Sequence, residues 1–266
     1  MIAQLTHLFD IAIYNPLLNG LISLYHGIPG HDLGLAIILL TLGIKVILAY
    51  PSYQAIRSQR ELQLLQPKLE ALKKKYKDNK EEMGKKLMEF YREHKVNPFS
   101  SCLPSLIQLP ILFILYRVFI DALAVDQSTG ILVSKTLEHL YEPLRTIYTT
   151  TPTDQMAFGF LNLAGTKNII LAVVTGGLQF WQSKMLMSQR APSVAGDGAK
   201  DENMAASVSK QMTYLFPVFT AYLVYVFPVG LGLYWLTSTL FQIGQQYLLF
   251  RRMRTSGNNE SVAPKA

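Results

Sequence analysis

Between Asp32 and Arg57 the sequence carries a single charge, Lys45, inside an apolar stretch that runs from Leu33 to Ile56. A helix over that stretch rises about 1.5 Å per residue, which is enough to cross a bilayer with the ammonium near the midplane. Insertion scales assign a lysine at that depth a cost of about 2.5 to 3.5 kcal/mol. About 18 Å of helix would then separate Lys45 from either end, more than a lysine stem spans by snorkelling. A charge kept at such a cost points to function.

The rest of the composition agrees with a membrane setting. Charged residues make up 16% of the chain, against about 25% in soluble domains, half the residues are hydrophobic, and mean hydropathy is +0.20. The charges fall in blocks separated by long apolar runs. Cys102 is the sole cysteine, so no internal disulfide framework exists, and the five histidines show no metal-ligand spacing. No metal, cofactor or DNA partner is expected. With neither an HExxH nor a GxSxG element in the sequence, no enzyme is expected either.

Five spans are expected, over 33–56, 98–120, 168–187, 211–227 and 229–250, within an all-α polytopic membrane protein. The odd number puts the two termini on opposite sides. Segments 52–97, 184–210 and 251–266 hold twenty of the twenty-five Lys and Arg residues. By contrast, 1–32 and 121–166 hold only Lys135 and Arg145, with seven acidic residues. The positive-inside rule therefore predicts an outer N-terminus, an outer loop 121–167, a cytoplasmic loop 188–210 and a cytoplasmic C-terminus. Residues 251–266 read as a basic, disordered tail. In 1–32 the absence of Lys and Arg and the polar breaks at Asp10, Asn15 and Asn19 argue against a cleaved signal peptide. Leu17, Leu21, Leu24 and Tyr25 recur at helical spacing there, giving an amphipathic segment at the outer interface or an ordinary amphipathic leader.

Residues 57–97 form the most highly charged block, with twelve basic and seven acidic residues. Leu62, Leu65, Leu69, Leu72 and Tyr76 align on one helical face, and Met83, Leu87 and Phe90 on a second. Asp78 and Asn79 supply a turn between them, and Pro67 marks a kink or fresh start. The expectation is an antiparallel cytoplasmic helical hairpin with a net positive surface, suited to anionic lipid, ribosomal RNA or an acidic partner, or else a merely solvated face. Arg117, about 30 Å along the second span, is expected to snorkel at the outer interface and to bind no client.

The segment LQPKLEALKKKYKDNKEEMGKKLMEFYREHKVNP and the following SSCLPSLIQLPILFILYRVF resemble the YidC-type membrane protein insertase family. So do FLNLAGTKNIILAVVTGGLQFWQSKM, QMTYLFPVFTAYLVYVFPVGLGLYW and the pair Gln245 and Gln246. The likeness covers roughly residues 33–254 and implies a five-helix core around a hydrophilic groove that is open to the cytoplasm and to lipid. It also implies insertion and folding of nascent membrane proteins, alone or beside the Sec translocon, without nucleotide hydrolysis. The ribosome is a further partner to consider. In the family a basic residue, usually arginine, stands on the first core span, and aligning the LQP elements puts Lys45 there. The proline that follows is displaced by one, as Pro51. A glycine pair and cysteine of the second span read here as Ser100, Ser101 and Cys102, and Thr239 replaces an asparagine of the last span. The lack of any large outer domain before the first span fits a compact bacterial form.

No Asp or Glu occurs inside the five spans, so the compensation for Lys45 is expected from water and dipoles. Gln179 and Gln182 on the third span and Thr237, Thr239 and Gln242 on the fifth are the candidate groove residues. Trp235 joins them because the family lines its groove with polar and aromatic residues of that span, although a Trp at that depth is more often packing. A phospholipid scramblase or a small-molecule transporter are the alternatives. The transporter is disfavoured by the lack of intramembrane carboxylates and of inverted repeats.

Overall fold

A computed structural model gives the fold and describes residues 2–77, 79–94, 96, 103–187 and 214–260. The chain is mostly helical, as expected. In order it forms α1 (Ile2–Phe9), a π-helical turn (Asp10–Tyr14), α2 (Asn15–Gly27), α3 (Leu33–Ile47), α4 (Ala49–Lys75), α5 (Lys80–Glu93) and α6 (Leu103–Ala122). After α6 come α7 (Ser134–Leu137), α8 (Glu142–Tyr148), an antiparallel hairpin of β1 (Met156–Ala157) and β2 (Leu161–Asn162), α9 (Ile169–Met187), α10 (Tyr214–Val226) and α11 (Val229–Glu260). Residues 98–102, Asp78, the loop 188–210 and the end of the tail, 261–266, lie outside the described residues.

The chain divides into two compact units. The first comprises Met1–Ile47, Gln108–Leu178 and Phe219–Leu240. Its core joins α2 (Leu18, Leu21, Ile22, Tyr25), α3 (Leu33, Ala36, Ile37), α6 (Leu115, Val118, Phe119, Ala122) and the start of α11 (Leu231, Leu233, Tyr234). The segment from α7 to β2 closes that core with Leu140, Tyr148 and Ala157. Close approach depends on glycine at one place in particular. A Cβ on Gly232 would come within 2.7 Å of Leu171 and 2.9 Å of Val224, so the small residue lets α11 pack against α9 and α10.

Two features of this unit add to the sequence expectation. The segment 2–27, expected as amphipathic, packs on the core of the unit. Leu21 and Tyr25 are buried, Leu17 and Leu24 pack on the same core, and polar side chains fasten the segment to the loop. The Asn19 amide donates to the carbonyls of Asn15 and His139, while its oxygen accepts from the Tyr141 N–H at 2.7 Å. Arg117, expected to snorkel, is instead paired. Its Nη1 donates to Asp10 Oδ1 at 2.5 Å, its guanidinium lies 4.0 Å above the Tyr14 ring, and Asp121 Oδ2 is 3.8 Å from its Nε. The Tyr14 hydroxyl donates to Asp121, and burial followed by that bond pushes its pKa well above the ordinary tyrosine value.

The second unit comprises Leu48–Ile107, Gln179–Val218 and Phe241–Ala266. α4 and α5 pack on one another, and Asn79 caps α5 by accepting the Glu82 N–H at 3.1 Å. Pro67 lies inside α4 without ending it. A small apolar cluster of Ile56, Leu249 and Phe250, flanked by Tyr53, Met185 and Leu186, joins α4, α9 and α11. Arg60 covers it, with its guanidinium 5.2 Å above the Phe250 ring. α11 continues to Glu260, through residues expected to be disordered. No proline interrupts 229–260.

The stretch 33–56 is not one straight helix. α3 ends at Ile47, and α4 begins as a separate helix at Ala49. Pro51 supplies the cause, because it has no N–H to return to the Ile47 carbonyl and its ring crowds that oxygen. Hydrogen bonding resumes one residue later, where Ser52 N–H reaches the Leu48 carbonyl at 3.0 Å. Among the described residues no single helix is long and apolar enough to cross a membrane alone; α3 and the start of α4 reach that mark only when counted together, by length and composition. α3 is apolar but has only 15 residues, whereas α9 has 19 and is diluted by Thr175, Gln179, Gln182 and Ser183.

Candidate functional site

Each unit carries its own buried polar residues. In the first, Lys45 occupies the last turn of α3 and is 8% exposed. The break at Leu48 therefore places it near a helix end rather than at the centre of a continuous span. One turn earlier on the same face stands Thr41, whose hydroxyl is turned onto its own helix, donating to the Ile37 carbonyl at 2.6 Å. Thr41 escaped the sequence reading, although its position four residues before Lys45 is the signal that finds it.

α11 adds Thr237, Ser238 and Thr239 to this unit, all buried. Thr237 donates to the Leu233 carbonyl at 2.8 Å and Thr239 to the Trp235 carbonyl at 2.9 Å, so both expected groove hydroxyls also bond back to their own helix. The Ser238 hydroxyl, with those of Thr175 on α9 and Thr220 on α10, makes no hydrogen bond among the described residues. A buried hydroxyl in that state costs about 1 to 3 kcal/mol, so three of them are a feature to explain. Trp235 packs half-buried against the apolar core.

In the second unit Gln179, Gln182 and Gln242 are brought together. Gln179 Nε2 donates to Gln182 Oε1 at 3.0 Å, and Gln182 Nε2 donates to Gln242 Oε1 at 2.6 Å. This amide chain links α9 to α11. The spacing of Gln179 and Gln182, three residues apart on a helix, put them on one face in the sequence already. A second link, not foreseen, ties α4 to α11: Gln245 donates to the Ala49 carbonyl at 2.9 Å and accepts from the Ser52 hydroxyl at 3.1 Å. Among the described residues no three His, Cys, Asp or Glu side chains are grouped to hold a metal ion.

Comparison with known proteins gives this arrangement a context. A family model described as 60Kd inner membrane protein matches residues 24–256. The membrane protein insertase YidC of Fusobacterium nucleatum subsp. nucleatum is 34% identical over 222 residues, covering 83% of this chain and 87% of that protein. The protein of the same name from Geobacter sulfurreducens is 31% identical over 91% of this chain but only 38% of its own length. That of Francisella tularensis subsp. novicida is 31% identical over 92% of this chain and 37% of its own length. A crystal structure described as active YidC insertase with the first transmembrane domain resolved superposes with a TM-score of 0.52 at 26% identity, over 92% of this chain and 50% of that one.

A helical fold with buried polar residues on apolar helices thus falls in a class of inner-membrane proteins. The chain belongs to the 60Kd inner membrane protein family, and the relatives described above are named membrane protein insertase YidC.

Proposed function

We propose that this chain inserts newly made membrane proteins into the lipid bilayer and helps them fold, without nucleotide hydrolysis. The observation that carries the reading is Lys45: a buried cation on α3, in a chain 34% identical to an insertase over most of that protein's length. The five spans expected from the sequence, with an outer N-terminus and cytoplasmic C-terminus, belong to this reading, and the distribution of Lys and Arg supports them. So does a cytoplasmic position for the hairpin of α4 and α5, whose net positive surface suits the ribosome or anionic lipid. The Sec translocon is a partner on the same footing.

Client handling is assigned to polar residues of each unit in its own right: Lys45, Thr237, Thr239 and, as packing beside them, Trp235 in the first, and Gln179, Gln182 and Gln242 in the second. A polar or acidic client segment is attracted to Lys45, while the client's apolar helix moves into lipid. Apolar burial returns about 25 cal/mol per Å², so a client helix of about twenty residues supplies ample free energy for the step.

A photocrosslinker at position 45 is expected to capture a stalled nascent membrane protein. In cells depleted of their own insertase, Lys45→Arg supports growth. Lys45→Glu is expected to lower insertion of clients with acidic translocated tails by about tenfold or more, because the attraction becomes a repulsion. Equal insertion by Lys45→Glu rejects the role of this charge. Equilibration of labelled lipid in sealed vesicles without any client would favour the scramblase alternative.

A further inference from the structure

At one end of the first unit the hairpin β1–β2 presents two aromatic side chains that the core does not use. Phe160 is 76% exposed and Phe158 43%, with ring centroids 6.2 Å apart. The turn between the strands has two successive residues at positive φ, Phe158 at 56° and Gly159 at 75°, and Phe160 N–H reaches the Ala157 carbonyl at 3.1 Å. That is the pattern of a type I′ turn, which Asn-Gly satisfies at least cost. A bulky aromatic in the left-handed region is strained, and neither its strain nor its exposure helps the fold.

The tip is also rigidly mounted. Asp32 caps α3 by accepting the Leu35 N–H with Oδ1 and holds the Phe158 N–H with Oδ2. Gly34 lies so close to the hairpin that a Cβ there would overlap the Ala157 methyl. An ordinary surface turn needs no such mounting. Exposed apolar residues also stand on α3, which contacts β1, at Leu35 and Leu39, and on α9, which follows β2 in sequence, at Ile169, Ile170, Val173 and Val174. Lys167, at the start of α9, is exposed as well, and a cation beside apolar and aromatic residues suits the phosphate level of a lipid monolayer.

We propose that the Phe158–Phe160 tip is a lipid-inserted wedge that seats the first unit in the outer leaflet, with phospholipid as its occupant. This rests on the membrane reading of the preceding section, since exposed rings mounted on the start of an apolar helix are taken to meet lipid too. The rings enter the region between headgroup and acyl chain, where aromatic side chains are favoured.

The test uses the full chain in phosphatidylcholine and phosphatidylglycerol vesicles, with Cys102→Ser to remove the native thiol. Single nitroxide labels are placed at Phe160→Cys, at Val173→Cys on α9 and at Gln127→Cys in an exposed loop. Power saturation with oxygen and with a water-soluble nickel relaxant reads depth. The expected result is a several-fold higher ratio of oxygen to nickel accessibility at 160 than at 127, with 173 deeper still. A second variant adds Phe158→Asn, which relieves the turn: thermal stability is expected to rise while the label at 160 moves toward water. Aqueous accessibility at 160 with a lipid-exposed 173 overturns the wedge alone. Aqueous accessibility at both overturns the membrane reading with it. Exclusion of both relaxants at 160 means a protein partner or second copy covers the tip, and also overturns the proposal.

Discussion

The two units have different interiors. The first is closed by a continuous apolar core drawn from α2, α3, α6, α11 and the loop before α9, whereas among the described residues the second has a small buried cluster of Ile56, Leu249 and Phe250, with Leu69 and Phe90 buried on α4 and α5. Where the first unit relies on ring and methyl packing, the second joins its helices with amides: Gln179 to Gln182 to Gln242, and Gln245 to Ala49 and Ser52. Packed hydrocarbon tolerates little change, because a removed side chain leaves a void that neighbours fill only in part. Amide links can exchange with other polar groups at small cost.

Three measurements break or sharpen the contrast. Phe119, 1% exposed and 5.9 Å from the Tyr234 ring, lies in the closed core, and Phe119→Ala is expected to cost about 3 to 5 kcal/mol, read as a large fall in melting temperature in detergent. A loss under 1 kcal/mol would mean that the first unit is no better packed than the second. Gln182→Leu removes the middle of the amide chain. Stability is expected to change by less than about 1 kcal/mol, because Gln179 and Gln242 find other partners, while client crosslinking to α9 declines. A stability loss of several kcal/mol would show a sealed, structural network instead.

The smallest effect concerns the loop of the first unit. Asp126 accepts from the side chain and N–H of Ser128 and from those of Thr129, and these bonds lower its pKa to about 2. Since the folded value is depressed, its contribution is complete above the ordinary aspartate value near 4 and fades as pH falls toward 2. Asp126→Asn is expected to leave melting unchanged within experimental scatter at pH 2 and to lower it slightly at pH 7. An equal effect at both values would rule out the carboxylate as the source.

Much of this was legible in the residues. Helical periodicity and composition gave a mostly helical chain but not the β1–β2 hairpin, and the isolation of Lys45 among apolar neighbours marks it in the sequence alone. Gln179 and Gln182 could be placed together from spacing alone. Features that depend on distant partners were not legible. The break between α3 and α4 turns on whether Pro51 interrupts a helix or begins one, which local sequence leaves open. Asp10 and Arg117 are separated by 107 residues, and nothing in either neighbourhood announces the pair. The loop 121–167 read as a connection, yet it contributes two short helices and a β-hairpin, because its buried Leu140, Tyr148 and Ala157 find apolar partners only in the folded unit.

A primary amide is both donor and acceptor, and a half-turn about its last side-chain bond exchanges the two. In the row Gln179, Gln182, Gln242 each donor faces the next acceptor, so turning all three amides reverses the row and keeps every link. Such a row has no intrinsic polarity, and either end can offer N–H or C=O at little cost. Tolerance of a reversed hydrogen-bond direction is thus available from side-chain chemistry alone, with no movement of the backbone.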